Sequence, residues 1–306
     1  MTPDEWLQHR TYPGTVDPQA LLAAKAERAQ RVSVIIPALE VADTVGEIVR
    51  RIRHHWMESC PLVDQLVVVD SHSADDTARV AADAGATVLQ DDEVLPDLPP
   101  ARGKGEAMWK SLHATDGDLV LWVDGDIVDF DPAYVPAMLN PLLTEPEVVF
   151  VKAAYGRMLD GRQDGGRVTE ICARPLLNLV RRELSVVAQP LAGEQAGRRT
   201  HLERLPFLTG YAVEMGLLLD THARTGLSGI AQVALPARSH VNQSTADLGR
   251  MAYAVSQAIL TRSRHLEGFS RLPYRAPVPG SAGWRIDDRP VTIDERPPLT
   301  DLGTAP

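Results

Sequence analysis

Two aspartates, Asp124 and Asp126, flank a single glycine directly after an apolar run at residues 119–123. Such a run is typical of a strand buried on both faces, and carboxylates without a partner at its end would be costly. A divalent cation is the usual partner where substrate phosphates also bind. Asp-Gly is also a common turn pair. The motif therefore predicts either a Mg²⁺ or Mn²⁺ site or a plain turn.

A second apolar run, residues 65–70, also ends in polar groups, because Asp70 is followed by Ser71. These two side chains are candidates for binding a nucleoside base or ribose. The residues beyond them predict a helix for which Ser73 is the N-cap. Helix capping alone is the alternative interpretation of this segment.

Lys104 stands at the start of a further predicted helix, after Arg102 and Gly103. The unpaired backbone N–H groups of a helix start, together with a lysine ammonium group, suit a diphosphate. The spacing of the glycines differs from that of a P-loop. The segment therefore predicts an anion site of another kind.

The elements that would carry these groups alternate between strand and helix. Runs rich in Val, Ile and Leu predict strands at 31–37, 65–70, 86–90, 118–124 and 147–155. Helical periodicity lies between them at 44–56, 75–84, 104–114 and 133–143. This alternation predicts an α/β fold with a Rossmann-like, mostly parallel sheet and helices on both faces. Ligands in such folds bind beyond the carboxyl ends of strands, where the motifs above lie.

The rest of the chain is predicted to be more helical. Helical patterns lie at 168–184, 211–221 and 245–262, with a strand at 230–235. The proline-rich tail shows no periodicity. The predicted parts are an N-terminal helical or extended arm (1–30), a nucleotide-sugar-binding half (31–155), an acceptor-binding half (156–270) and an extended C-terminal arm (271–306).

Composition excludes several classes of partner. The net charge of −10 argues against nonspecific binding to nucleic acid. No run reaches the roughly 18 apolar residues of a membrane span. The first ten residues are polar and carry no secretion signal, and Cys60 and Cys172 suit thiols in a reducing compartment. We therefore expect a cytoplasmic protein without a nucleic-acid or membrane partner.

The order and spacing of four motifs resemble the GT-A glycosyltransferases. They are Pro37-Ala38-Leu39, Asp70-Ser71, Gly103-Lys104-Gly105-Glu106 and Asp124-Gly125-Asp126. Over most of its length the chain is similar to the actinobacterial glucosyl-3-phosphoglycerate synthase family, through residues 6–7, 165–170, 189–194, 210–214, 230–233 and 238–242. The resemblance implies a GT-A fold in a homodimer. It also implies metal-dependent, retaining transfer of a sugar from a nucleotide sugar to a small anionic acceptor.

The resemblance also implies roles for particular residues. The donor would contact Pro37, Ala38, Leu39, Glu40, Ser71, Lys104, Asp124 and Gly125. The phosphate or carboxylate of the acceptor would contact Gly166, Arg167, Thr169, Arg238 and Asn242. Asp126 and His240 would hold Mg²⁺ or Mn²⁺, and the catalytic residues would be Asp126, Lys104 and Glu214. The alternatives are that His240 is a structural histidine and that Glu214 only supports a helix.

Three features depart from the usual pattern of the family. Glu40-Val41-Ala42 replaces a polar, acidic run beside the base pocket, Gly125 stands where serine is common, and the loop at 157–164 is shorter. A carboxylate accepts well from the N–H groups of guanine, whereas uracil offers one N–H between two carbonyls. The donor is therefore a sugar carried by either UDP or GDP.

Three other functions stay open at this point. An antibiotic-pathway transferase of the lincosamide type would join a GDP-activated octose to ergothioneine. A sugar-phosphate nucleotidyltransferase would need a glycine-rich, basic loop after the first strand, where residues 37–40 stand instead. A noncatalytic sugar-nucleotide-binding protein would be expected to lack Asp126 or Lys104, and both are present. The favoured acceptor is 3-phosphoglycerate or a comparable small anion.

Overall fold

The computed structural model describes residues 1–158, 166–239, 244–263, 274–280, 283–289 and 293–302. Its strands are β1 Thr11–Pro13, β2 Val32–Ala38, β3 Gln65–Asp70, β4 Thr87–Gln90, β5 Leu119–Trp122, β6 Phe150–Ala154, β7 Arg157–Met158, β8 Gln195–Arg198, β9 Phe207–Leu208, β10 Ile230–Ala234, β11 Arg238–Ser239, β12 Tyr274–Gly280, β13 Gly283–Arg289 and β14 Glu295–Arg296. Its α-helices are α1 Pro3–His9, α2 Pro18–Glu27, α3 Ala42–Arg53, α4 Thr77–Asp83, α5 Lys104–His113, α6 Tyr134–Thr144, α7 Arg174–Val180, α8 Arg199–Leu202, α9 Val213–Thr225 and α10 Thr245–Thr261. Short π-helical turns lie at His54–Ser59 and Thr169–Ala173, and 3₁₀ turns at Arg182–Val186, Gly210–Ala212, Leu227–Gly229 and Leu299–Leu302.

Eight of these strands form one sheet in the order β1-β10-β6-β8-β5-β2-β3-β4. Neighbours pair in parallel except at β8, which runs antiparallel to both β5 and β6. This confirms the mostly parallel α/β sheet that the alternation of elements predicts. Strands from residues 1–30, 31–155 and 156–270 all join it, so the site is built on a continuous sheet.

Helices cover both faces of the sheet. Successive residues of β2 point to opposite faces, so each face of this strand packs against a different set of helices. Val34 and Ile36 pack with α3 and α6 in one apolar cluster, whereas Ile35 packs with α5 and α9 in another. All three side chains are fully buried. A strand that is apolar on both faces is what a parallel sheet between helices requires.

The second half of the chain is helical, as predicted, and α7, α9 and α10 enclose a further apolar cluster. Trp6 of α1 lies in this cluster without exposed surface and donates from Nε1 to the carbonyl of Ile230 at 2.7 Å. β1 then pairs with β10 at the edge of the sheet. The N-terminal residues therefore pack on the second half of the chain. Among the described helices, none combines the length and apolar character needed to cross a bilayer.

The C-terminal residues fold back onto α5. β14 pairs antiparallel with β9, after a hairpin formed by β12 and β13. Arg296 forms a bidentate ion pair with the buried Glu106 of α5, and both N···O distances are 2.7 Å. The guanidinium carbon of Arg296 also lies 5.3 Å from the ring centre of Trp109. The tail thus contributes a charge pair to the helix that Lys104 begins.

Candidate active site

The carboxyl ends of β2, β3 and β5 meet at one edge of the sheet. Ala38 pairs with Asp70 across β2 and β3, and β2 also pairs in parallel with β5. The residues that follow these strands therefore lie side by side, as ligand-binding residues do in open α/β sheets. Thr44 of α3 joins them by donating from Oγ1 to the carbonyl of Gly125 at 2.6 Å.

Residues 37–42, here termed the nucleoside loop, are fixed by short polar side chains. Ser73 Oγ accepts from the backbone N–H of Glu40 at 2.8 Å and donates to Asp70 Oδ1 at 2.5 Å. The prediction that Ser73 caps α4 is therefore wrong, because its hydroxyl group is used in these two bonds. The N-cap is Asp76, which makes no side-chain capping bond.

Two further side chains hold the end of the nucleoside loop. Thr77 Oγ1 accepts from the N–H of Val41 at 2.8 Å, and Asp75 Oδ2 accepts from the N–H of Ala42 at 3.1 Å. Three consecutive backbone amides are thus bound by the chain that follows β3. The shape of the loop depends on this segment.

The predicted donor residues lie along the loop and opposite it. Leu39 and Glu40 are exposed, and Ser71 is half-buried beyond β3. Glu40 has a φ of +54°, a left-handed conformation that its backbone hydrogen bond stabilises. Gly125 is buried beside Val41, whose Cγ2 would lie 3.1 Å from a Cβ added at Gly125.

Lys104, Asp124 and Glu214 form a cluster that we term the charged centre. Lys104 Nζ lies 2.5 Å from Asp124 Oδ1 and 2.8 Å from Glu214 Oε1. Lys104 begins α5, Asp124 follows β5, and Glu214 lies in the first turn of α9. Burial alone would lower the pKa of Lys104, but the two carboxylates outweigh it and raise that pKa above its ordinary value. The lysine is therefore a permanent cation at the strand ends.

Glycine allows the start of α5 to approach closely the segment at residues 208–210 that leads into α9. A Cβ at Gly103 would lie 2.9 Å from the Cα of Gly210, and one at Gly105 would lie 1.9 Å from the carbonyl oxygen of Leu208. Gly103 also has a φ of +97°, which glycine adopts without strain. These contacts bring the lysine and the glutamate of the charged centre together.

Residues 189–194, here termed the covering turn, close over Asp124 from the other side. A Cβ at Gly193 would lie 2.0 Å from Asp124 Oδ2, so only glycine fits there. Lys152 of β6 is fully buried and donates to this turn. It is absent from the predicted site residues, although a lysine inside an apolar strand is a signal visible in the sequence.

Asp126 lies at the surface two residues beyond Asp124. Asp124 is paired with Lys104, and Asp126 is an exposed residue at the same strand end. Carboxylate oxygens are the ligands that Mg²⁺ and Mn²⁺ prefer. The residues present therefore fit a divalent cation. His240, the second predicted ligand, lies outside the described residues.

The predicted acceptor residues lie on other elements. Gly166 has a φ of +76° and opens the π-helical turn that leads into α7. Arg167 beside it is half-buried, and Thr169 is 2% exposed. For Arg238 the backbone alone is described, in β11, which pairs with β7. Asn242 lies outside the described residues.

Known proteins with similar sequences and structures identify the family. Residues 33–203 match the family described as Glycosyl transferase family 2. Glucosyl-3-phosphoglycerate synthase of Mycolicibacterium smegmatis is 48% identical over 287 residues, which cover 92% of each chain. The crystal structure of mannosyl-3-phosphoglycerate synthase from Rubrobacter xylanophilus has a TM-score of 0.89 at 42% identity, covering 98% of each chain.

A third relative has been crystallised with ligands bound. Glucosyl-3-phosphoglycerate synthase from Mycobacterium tuberculosis, in complex with Mn²⁺, UDP and phosphoglyceric acid, has a TM-score of 0.85 at 40% identity. The match covers 94% of this chain and 96% of that one. A structure of the same protein with Mg²⁺ and UDP has a TM-score of 0.86 at 39% identity, covering 96% of this chain and 99% of that one.

The sheet, its strand-end carboxylates and these similarities define a GT-A glycosyltransferase that depends on a divalent cation. This chain belongs to glycosyl transferase family 2 and to the glucosyl-3-phosphoglycerate synthase family. It is an enzyme that moves a sugar from a nucleotide sugar to a small anionic acceptor, with Mg²⁺ or Mn²⁺ as its cofactor. The similarities give no support to the thiol-acceptor or nucleotidyltransferase alternatives.

Proposed function

We propose that the enzyme transfers glucose from UDP-glucose to 3-phosphoglycerate and retains the anomeric configuration. The observation that carries this proposal is the charged centre, a permanently cationic lysine between two carboxylates at the strand ends. A departing diphosphate gains negative charge, and a fixed ammonium group stabilises that charge. The ligands of the M. tuberculosis relative, UDP and phosphoglyceric acid, support this choice of substrates.

In this proposal the nucleotide lies along the carboxyl ends of β2, β3 and β5. The nucleoside contacts the nucleoside loop and Ser71, and Gly125 leaves room beside the ribose. The diphosphate lies over the start of α5, where Lys104 and unpaired backbone N–H groups face it. Ser73 and Thr77 fix the loop through hydrogen bonds within the protein, which lowers the entropic cost of binding.

The divalent cation would be held by Asp126 and His240, and when bound it neutralises the diphosphate. Asp124 and Glu214 keep the ammonium group of Lys104 at the strand ends. In this proposal Glu214 also accepts a hydrogen bond from a glucose hydroxyl group. The residues of the chain thus orient the donor before the acceptor arrives.

The acceptor is proposed to bind through Gly166, Arg167 and Thr169, with Arg238 and Asn242. Guanidinium groups bind phosphate or carboxylate through two parallel N–H donors. 3-Phosphoglycerate has one free hydroxyl group, so its oxygen forms the new bond to C1 of glucose while the bond from C1 to the diphosphate breaks. The hydroxyl proton passes to the departing diphosphate on the same face. No protein nucleophile is required.

The proposal also specifies uracil as the base of the donor nucleotide. UDP in the M. tuberculosis complex supports uracil. The side chain of Glu40, which raised the guanine hypothesis, is exposed. In competition binding with Mg²⁺ present, we expect UDP to bind more tightly than GDP, and Glu40→Ala to change neither. Preferential binding of GDP that Glu40→Ala abolishes would replace uracil by guanine.

We also propose that the protein is a cytoplasmic homodimer. Both cysteines are free thiols, with Cys60 buried and Cys172 half-buried, as a reducing compartment permits. Light scattering tests the assembly, with an expected mass of twice the chain mass of 33.4 kDa. A mass equal to that of one chain would contradict the dimer.

A panel of donors and acceptors tests the reaction. The enzyme with Mg²⁺ is given UDP-glucose or GDP-glucose with 3-phosphoglycerate or ergothioneine, and nucleotide release is measured. We expect turnover with UDP-glucose and 3-phosphoglycerate. Turnover confined to ergothioneine and a GDP-sugar would favour the antibiotic-pathway alternative instead.

Arg167→Ala should raise KM for 3-phosphoglycerate about tenfold or more, through loss of charged hydrogen bonds, and leave KM for the donor unchanged.

A further inference from the structure

A row of three polar side chains crosses the apolar centre of the sheet near the charged centre. Lys152 of β6 is in register with Gln195 of β8 and with Gln232 of β10. Lys152 and Gln195 have no exposed surface, and Gln232 is 3% exposed. A lysine in such a place is costly unless its ammonium group is hydrogen-bonded. Its bonds therefore indicate what it is for.

These side chains hold the covering turn and the residue before it. Lys152 Nζ donates to the carbonyl of Ala192 at 2.5 Å and to Gln195 Oε1 at 3.0 Å. Gln232 Oε1 accepts from the backbone N–H of Ala188 at 2.9 Å. The sheet thus binds the covering turn at Ala192 and the residue before it at Ala188.

The opposite side of the covering turn contacts the charged centre. A Cβ at Gly193 would lie 2.0 Å from Asp124 Oδ2 and 2.3 Å from Oδ1. Asp124 is therefore confined between the covering turn and Lys104, which binds its Oδ1. The next residue of the turn, Glu194, accepts from the hydroxyl group of Tyr155 at 2.9 Å.

We propose that Lys152 is a positioning residue for the transfer reaction: it holds Ala192 so that Gly193 confines Asp124, and Asp124 in turn fixes the ammonium group of Lys104. Lys152 acts without touching the substrate. The inference rests on the proposed function, because the step that Lys152 supports is diphosphate departure beside Lys104.

The charges that act on Lys152 include those of the charged centre. Burial is the main cause that lowers the pKa of Lys152, the cation Lys104 acts in the same direction, and the carboxylates of Glu214, Glu194 and Asp124 oppose both, so that the pKa is lowered to about 7. Glu214 and Asp124 act on both lysines, which are close enough for the charge of Lys104 to lower the pKa of Lys152.

Lys152→Met tests the proposal because methionine fills a similar volume without a donor. A displacement of about 1 Å at a reacting group lowers a rate by about 10²-fold. We expect kcat to fall by about this factor, while KM for UDP-glucose changes little, because the nucleoside loop is fixed by other contacts. If the variant does not fold, Lys152→Gln, whose amide NH₂ group can still donate, should show a smaller loss of kcat in the same direction.

Lys25 of α2 provides a matched control. It is a buried lysine, 8% exposed, that pairs with Asp64 at 2.7 Å and donates to the carbonyl of Pro61 at 3.1 Å. Its contacts lie away from the strand ends that form the site. Lys25→Met should therefore reduce stability and leave kcat unchanged.

A double-mutant cycle shows whether Lys152 acts through Asp124. In an Asp124→Asn background, Lys152→Met should lower kcat little further, since its effect passes through that carboxylate. Losses that multiply in the double mutant, or wild-type kcat in both Lys152 variants, would overturn the proposal. Failure of the wild type to use 3-phosphoglycerate would count against the proposed function. The Lys152 variants would then be compared with wild type in the hydrolysis of UDP-glucose without an acceptor. A hydrolysis rate unchanged by the substitutions would overturn the proposal for Lys152.

Discussion

The nucleoside loop and the charged centre lie at the same edge of the sheet but are built differently. In the loop, backbone amides of Glu40, Val41 and Ala42 are bound by side chains that follow the neighbouring strand β3. The charged centre joins side chains from α5, the end of β5 and α9, with three charges in partly or fully buried positions. The loop is thus held mostly by neutral contacts and the charged centre by paired charges, and in the proposed function the first binds the nucleoside while the second serves catalysis.

This difference sets the expected size of substitution effects. A neutral hydrogen bond contributes about 1 kcal/mol to stability, so the loop tolerates the loss of one contact. Removing one partner of a buried charge pair costs about 3–5 kcal/mol, because the other charge is left unpaired. Substitutions in the charged centre should therefore affect turnover far more than substitutions in the loop.

Loss of the divalent cation should have the largest effect. Metal-free enzyme in EDTA should lose turnover by about 10³-fold or more, because several kcal/mol of charge stabilisation is lost with the cation. Asp126→Ala should behave in the same way with its fold intact by circular dichroism. Asp129→Ala, at an exposed aspartate in the same segment, is the control and should retain activity. Full turnover in EDTA would contradict the metal requirement.

Lys104→Met should have the next largest effect. The departing diphosphate loses a fixed cation, and we expect kcat to fall by about 10³-fold. Lys110→Met is the control, since Lys110 is a buried lysine of the same helix that pairs with Glu106 at 3.3 Å. It should lower stability and leave kcat close to wild type. Similar kcat losses in both variants would show that the charged centre has no special place in catalysis.

The pH dependence of stability should separate Lys152 from ordinary lysines. Its pKa is about 7 in the folded enzyme, and an unfolded lysine has an ordinary pKa of about 10.4. Between these values the unfolded state binds more protons, so this lysine makes the free energy of unfolding rise with pH. From pH 7 to 9, wild type should therefore gain stability relative to Lys152→Met, by at most about 1.4 kcal/mol per pH unit.

Urea unfolding of both proteins at several pH values in that window measures this difference. Lys25→Met, compared with wild type in the same way, supplies the control. A stability difference between wild type and Lys152→Met that is independent of pH would show that Lys152 stays protonated throughout.

Gly125→Ala should have the smallest effect. The added Cβ would lie 3.1 Å from Val41 Cγ2 and 3.3 Å from Ile36 Cγ2, so the nucleoside loop must shift slightly. Overpacking of this kind costs about 1 kcal/mol or more, and we expect KM for UDP-glucose to rise about fivefold with kcat unchanged. Val41→Ala in the same protein should restore KM. A fall in kcat without a change in KM would place Gly125 in the charged centre rather than beside the nucleoside.

The sheet and its strand-end motifs were predictable because the signals are local. Apolar runs mark β2, β3 and β5, and the parallel arrangement places Asp70 and Asp124 at one edge. β8 carried no such signal, since it inserts antiparallel between β5 and β6, which only the tertiary structure decides. Ser73 shows the limit of local reasoning, because a distant backbone amide, that of Glu40, takes the hydroxyl group that would cap a helix.

The charged centre was predictable only in part. Asp124 and Lys104 were candidates from their positions at a strand end and a helix start, whereas Glu214 came only from resemblance to the family. Sequence spacing does not show that Lys104 contacts Glu214. Lys152 and Gly193 were missed because their roles depend on the covering turn, whose contacts join residues that are distant in the sequence. A buried charge in an apolar strand signals that a partner exists but not which one.

Proton NMR of the reaction itself tests the central claim most directly. UDP-glucose and 3-phosphoglycerate are mixed with the enzyme and Mg²⁺, and the anomeric signals are followed with time. The account predicts that both substrates are consumed and that UDP appears together with one α-linked glucoside at the hydroxyl group of 3-phosphoglycerate. A β-linked product, free glucose without a phosphoglycerate conjugate, or no consumption of either substrate would contradict it.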